Sequence, residues 1–117
     1  MRGLVTYSNE SKTDLLDIPP ALIQSKGAVS REVAQMMAEN VRIKSGTDIG
    51  LSTTGIAGPT GGTEEKPVGL VWIGYSDSNG SFAQDFNLGD NRKIFKERAS
   101  QMALNILRKQ LKKNYPL

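Results

Sequence analysis

The stretch "VGLVWIGYSDSNGSFAQDFNL", residues 68–88, decides how this chain folds. Residues 68–75 form a near-continuous apolar run. Such a run marks a strand covered on both faces, because a strand with one wet face alternates apolar and polar residues. The segment "SDSNG" that follows carries the turn formers that reverse a chain, so a hairpin is expected. Beyond the turn, Phe82, Phe86 and Leu88 recur at even spacing, which sets them on one face of a partner strand. Trp72 is expected in the core. A strand that needs cover on both faces implies helices on both sides of a sheet.

The flanking sequence supplies those helices. Downstream, residues 91–113 read as a helix with Phe95, Ala99, Met102, Ala103, Ile106 and Leu107 on one side. Upstream, Ser30 is a good N-cap, Glu32 suits a positive first turn, and Gly46 is a stop. Between them Val33, Met36, Met37 and Val41 follow at helical spacing, a stripe that reads as core and not as a methionine-rich groove. Pro20 starts a short helix through Ile23, ended by Gly27, and Ser8 or Asn9 caps another through Leu16, ended by "IPP". "GLVT" at residues 3–6 and "DIGLSTT" at residues 48–54 read as strands. The expected fold class is α/β: a layered mixed sheet flanked by helices, in a single domain over residues 1–117.

Composition narrows the chemistry. A chain of 117 residues is one ordinary domain, and closes roughly two-thirds of its unfolded surface. It holds no cysteine and no histidine. These residues therefore build no disulfide, no Cys/His zinc site, no thiol nucleophile and no Ser-His-Asp triad. A catalytic base would be lysine, a carboxylate, tyrosine or a metal-bound water. No run of about 18 apolar residues is present, and residues 1–25 lack the compact apolar stretch of a signal peptide. The cytoplasm is the expected location, with no membrane partner. The net charge is +3, much of it from Arg108, Lys109, Lys112 and Lys113, which complement the dipole at a helix end. No stacking aromatics interleave that cluster, so no nucleic-acid partner is expected.

Two polar segments leave the ends of predicted strands. "YSNESK", residues 7–12, follows "GLVT" and holds a phenol, two hydroxyls, an amide, a carboxylate and an ammonium. "TTGIAGPTGGTEEKPVG", residues 53–69, places Gly55, Gly58, Gly61 and Gly62 close together after a predicted strand. Glycine lets backbone approach a ligand closely, and successive amides can form an anion-binding concavity. The loop lacks the Gly-Lys-Ser/Thr of a P-loop, and Pro67 and a strand follow where a dinucleotide fingerprint needs a helix. By composition alone it reads as well as a plain surface loop as an anion cradle. In an open α/β sheet, ligands lie beyond the carboxyl ends of the strands. If the two strands run parallel, Tyr7, Lys12, Thr53, Thr54 and the loop amides converge on one crevice.

"GLVTYSNESK", "KGAVS", "TTGIAGPTGGTEEKPVGLVWIGY" and "NRKIFKERA", taken in order, resemble the CinA C-terminal domain family of competence-damage-inducible proteins. That family includes nicotinamide mononucleotide deamidases of the PncC type. The likeness runs from about Gly3 to Leu111, with Lys26 where the family usually has a histidine before Gly-Ala-Val-Ser. It implies an amidohydrolase reaction, in which nicotinamide mononucleotide gives nicotinate mononucleotide and ammonia. It also implies a serine nucleophile paired with a lysine base, and no cofactor or metal. Carried over by residue, Lys12 matches the base and Tyr7 the tyrosine beside it, while Thr54 matches the hydroxyl residue before the glycine loop. Arg92 matches an arginine that suits a ligand phosphate or carboxamide, and Gly55, Gly58, Gly61 and Gly62 would cradle the mononucleotide.

In the family the nucleophilic serine sits in a Glu-Ser-Cys-Thr-Gly-Gly motif upstream of these segments, and the 117 residues contain no such motif. The domain is therefore expected to be shortened at its N-terminus, with little or no deamidase activity on its own. The alternative is a non-catalytic nucleotide- or anion-binding module. With part of the sheet left uncovered, a homo-oligomer is expected.

Overall fold

The computed structural model describes residues 3–6, 18–27, 29–55, 69–89 and 92–114. Their elements, in chain order, are β1 (Gly3–Thr6), α1 (Pro20–Lys26), α2 (Arg31–Ser45), β2 (Ile49–Gly55), β3 (Leu70–Asp77), β4 (Gly80–Asn87) and α3 (Arg92–Asn114). The strands form one sheet in the order β1-β2-β3-β4. β1 runs parallel to β2, with Thr6 opposite Ser52, and the other two pairings are antiparallel. The mixed sheet is thus as the sequence indicates. The expected helix through Leu16 lies outside the described residues. The short helix after Pro20 runs past Ile23 to Lys26.

The hairpin forms because "SDSNG" gives the chain its turn. Asp77 pairs with Gly80 across Ser78 and Asn79, and the Asp77 carboxylate accepts hydrogen bonds from the amides of Asn79 (2.8 Å) and Gly80 (3.2 Å). This is an aspartate turn of the usual kind, with the side chain replacing a missing backbone partner. Across the strands Tyr75 and Phe82 stack with ring centroids 5.3 Å apart. Phe82 and Phe86 pack on the larger core, and Leu88, just past the strand, is buried in it.

α3 covers one face of the sheet. Phe95, Ala99, Ala103 and Ile106 are buried against Ile49, Leu51, Val71, Ile73 and Tyr75, with Met102 and Leu107 partly buried beside them. Burial of a large apolar side chain stabilises by roughly 1.5–3 kcal/mol, so this layer supplies much of the cohesion.

α2 covers the other face by a different device. Its N-cap is Ser30, whose Oγ accepts from the Val33 amide at 3.3 Å, and its end is Gly46 at φ 62°. The stripe Val33, Met37 and Val41 is buried as expected, but against Ile18 and Leu22. The helix meets the sheet through small residues instead. Ser52 Oγ donates to the Ala34 carbonyl at 2.6 Å. A β-carbon on Gly74 would collide with that same carbonyl oxygen, and one on Gly50 with the Ala38 carbonyl.

Trp72 departs from expectation. It is half-buried, where the sequence suggests core, because α2 begins beside it and does not extend over it. Its neighbour is the Arg31 guanidinium, with Cζ 5.3 Å from the ring centroid.

Candidate functional site

Parallel pairing of β1 and β2 has a direct consequence. Both strands end on the same side of the molecule, Thr6 beside Ser52 and the last residues of β2 just beyond. Two helices begin at that end. α2 starts at Arg31, against Trp72, which pairs with Thr54. α3 starts at Arg92, and one turn later Phe95 touches the end of β2: a β-carbon on Gly55 would lie 2.6 Å from Phe95 Cζ. Helix N-termini carry unpaired amides and a partial positive charge, so the end where β1 and β2 stop is electropositive by construction.

Thr54 is buried. Side chains alternate along a strand, and Ser52 faces α2, so Thr54 shares the α2 face while Thr53 and Gly55 face α3. The two threonines therefore cannot line one wall together. Gly55 has a packing reason to be glycine: besides Phe95, the Leu70 carbonyl oxygen would lie 2.8 Å from a β-carbon there. Arg92 is placed by its backbone at the first turn of α3. Tyr7, Lys12, Gly58, Gly61 and Gly62 lie outside the described residues.

The glycine loop leaves the sheet after Gly55 and returns at Gly69. That return is pinned to the end of β4, with the Leu88 amide donating to the Gly69 carbonyl at 2.8 Å. Gly69 sits at φ 95° against the Gly89 backbone, where a β-carbon would find no space. Arg98 Nη1 in turn donates to the Leu88 carbonyl at 3.1 Å. Both loop ends are thus held by the first two turns of α3. Sequence reading missed Arg98, Gly69 and Gly89 in this role. The available signal was a glycine on each side of the hairpin, at the start of β3 and the end of β4.

The opposite end of the sheet holds a polar hollow of about 280 Å³, lined by Arg42, Thr47, Asp48, Tyr75, Asp77 and Asn114 among others. Burial works to raise the Asp77 pKa. Hydrogen bonds from the Tyr75 hydroxyl (2.7 Å), the Asn79 amide, the Asn114 amide group (3.0 Å) and the Gly80 amide outweigh it and hold the carboxyl below its ordinary value. Arg42 Nε donates to Ser76 Oγ at 3.0 Å. Asp77 and Arg42 are thus engaged within the fold, and this end reads as a structural tie. Among the described residues no cluster of carboxylates could hold a metal ion, and no helix is long and apolar enough to cross a membrane.

Known proteins share this arrangement. The family described as "CinA C-terminal domain" matches residues 1–111. A "CinA-like protein" of Geotalea uraniireducens is 50% identical over 111 residues, covering 95% of this chain and 26% of that protein. The chain spans about a quarter of the length of such curated relatives. Among solved structures, the competence/damage inducible protein CihA from Agrobacterium tumefaciens superposes with a TM-score of 0.80 at 36% identity, over 87% of this chain and 63% of that one. A competence or damage-inducible protein from Enterobacter asburiae gives 0.82 at 27% identity, over 93% of this chain and 69% of that one. With that family model matching residues 1–111, this chain belongs to the CinA C-terminal domain family.

Proposed function

We propose that this chain is a CinA-type domain built to bind a nicotinamide or nicotinate mononucleotide where β1 and β2 end. The observation that carries the reading is the parallel register of β1 and β2, together with the start of α3 at the same end. It brings the point where "YSNESK" leaves β1 next to the point where the glycine loop leaves β2. Thr54 and the amides of Gly55 to Gly62 would then face the ligand, and Arg92 would meet its phosphate or carboxamide.

The reaction of such a site is addition of water across an amide C–N bond, giving a carboxylate and ammonia. A lysine amine desolvated beside a hydroxyl can act as general base, and Lys12 would take that role, with Tyr7 supplying the hydroxyl. These 117 residues hold no Glu-Ser-Cys-Thr-Gly-Gly motif, so Lys12 has no motif serine to activate. By themselves they bind the nucleotide and turn it over little or not at all. The second reading is a nucleotide- or anion-binding module without catalysis. The setting is cytoplasmic, and the chain works as a homo-oligomer.

Titration with nicotinate mononucleotide tests binding. The Gly55 amide is expected to shift, with a dissociation constant on the order of millimolar for a half-built pocket, about −4 kcal/mol. An immobile Gly55 amide at saturating ligand would refute the pocket. An ammonia assay with nicotinamide mononucleotide tests catalysis. No Lys12-dependent release is expected, and a clear drop in Lys12→Ala would show that another nucleophile operates.

A further inference from the structure

Trp72 stands opposite Thr54 with Arg31 over its ring, and neither has a role in the proposed site so far. Arg31 is the first residue of α2, is exposed, and has its Cζ 5.3 Å from the Trp72 ring centroid. Trp72 lies opposite Thr54 in the β2–β3 register, so the two share the α2 face. Side chains paired in this way sit about 5 Å apart at their β-carbons. Next to α2 the same face is small, with Gly50, Ser52, Gly74 and Ser76. Trp72 is the large side chain that β3 places on it where helical cover begins, with Leu70 two residues earlier on the same face.

Two physical features separate this pair from an ordinary surface contact. An arginine in the first turn of a helix opposes the macrodipole, which favours anions there. A guanidinium held over a ring face also keeps its N–H edges free, and those edges match a phosphate in a two-pronged fork. Its partner is the indole, and the β3–β4 register sets Asp85 on the same face, across Trp72 from Thr54. The result is an exposed cation set over a ring on β3, one strand away from the end of β2.

We propose that Arg31, positioned by Trp72, recognises the phosphate monoester of a mononucleotide bound beside Thr54. The inference rests on the proposed nucleotide site and gives that site a phosphate residue of its own. Arg92 begins the helix on the opposite face of the sheet, so the two arginines flank the strand ends from either side. The indole stands within reach of the ligand as well. Because Trp72 is the single tryptophan of the chain, its emission reports on this spot alone.

The test titrates nicotinate mononucleotide, nicotinate riboside and inorganic phosphate separately into the 117-residue chain, reading Trp72 emission and the Gly55 amide together. The mononucleotide is expected to move both signals. The riboside, lacking phosphate, should bind at least about tenfold more weakly, as loss of a charge-assisted fork implies. In Arg31→Ala that gap should close, the mononucleotide weakening about tenfold and the riboside staying as it was. Arg31→Lys should restore part of the gap, as a point charge without the fork. Arg31 is exposed, so its removal leaves the core intact. An unchanged gap in Arg31→Ala, with the Gly55 shift preserved, overturns the role of Arg31 and leaves the nucleotide site standing. Inorganic phosphate that matches the mononucleotide in affinity and displaces it overturns the nucleotide as ligand. No Gly55 shift with any of the three overturns both proposals.

Discussion

Gly74 and Ser52 show how tightly α2 lies on the sheet. A β-carbon on Gly74 would overlap the Ala34 carbonyl oxygen, which is backbone, and come 2.5 Å from Ser52 Oγ, which donates to that same carbonyl. The carbonyl cannot swing aside, and the hydroxyl can do so only by giving up its hydrogen bond. Gly74→Ala is therefore expected to cost about 3 kcal/mol, the upper range for overpacking a close-packed interior. Gly46→Ala makes the comparison: that glycine has φ 62° and nothing within 4 Å of a β-carbon. Its cost should be the strain of the left-handed conformation alone, about 1 kcal/mol. Ser52→Ala falls between by another route, losing a fully buried hydrogen bond to a helix carbonyl, about 1–2 kcal/mol. Urea unfolding of the three variants gives the order directly. Equal losses at Gly74 and Gly46 would show that α2 is free to lift from the sheet. This contact was not legible in the sequence, since hydrophobic periodicity flags Val33, Met37 and Val41 and passes over Ala34 and Ala38. The small residues that let two backbones meet have no hydrophobic signal.

The β3–β4 hairpin and the end of α3 are joined at Asp77. Its carboxylate closes the turn through the Asn79 and Gly80 amides and holds the last residue of α3 through Asn114. The folded-state pKa is lowered from the ordinary value of 3.8, so the contribution to stability is fully present above that value. It is lost as the pH falls below 3.8 and through the lower folded value. Asp77→Asn should remove this acid-dependent step and cost about 1 kcal/mol at neutral pH, because charged acceptors make the stronger hydrogen bonds. Urea unfolding between pH 2 and 7 checks both statements, and an identical acid profile in the variant would assign the step to other carboxylates. The hairpin itself was legible: "SDSNG" holds turn chemistry in five adjacent residues. The parallel partnership of β1 and β2 was not, because their pairing joins segments far apart in the chain and leaves no local mark. Thr54 was named from its place at a predicted strand end and again from resemblance, and Arg92 from resemblance alone. That β2 ends where α3 begins follows only from the register and the Phe95 contact.

On the scale of the molecule the two ends of the sheet differ. One gathers the ends of β1 and β2 with the starts of α2 and α3, and the other is tied shut through Asp77, Asn114 and Arg42. The two side edges are open among the described residues, since β1 pairs only with β2 and β4 only with β3. An edge strand presents unpaired amides and carbonyls to any second strand that can reach them. β4 guards its edge with Gln84, Asp85 and Asn87, which are exposed and polar. β1 spans four residues, so a second copy adding there would form only a few backbone hydrogen bonds, each worth about 1 kcal/mol net. Exposed Ile43 (66%) and Leu104 (59%) add apolar surface, one on each helical layer. Self-association of this kind would be weak and would depend on concentration. Light scattering during size exclusion, over roughly a hundredfold range, should show mass rising from monomer toward dimer or beyond, as expected for few-bond edge pairing. A constant monomer mass across the range would mean that residues of the chain itself close the β1 edge.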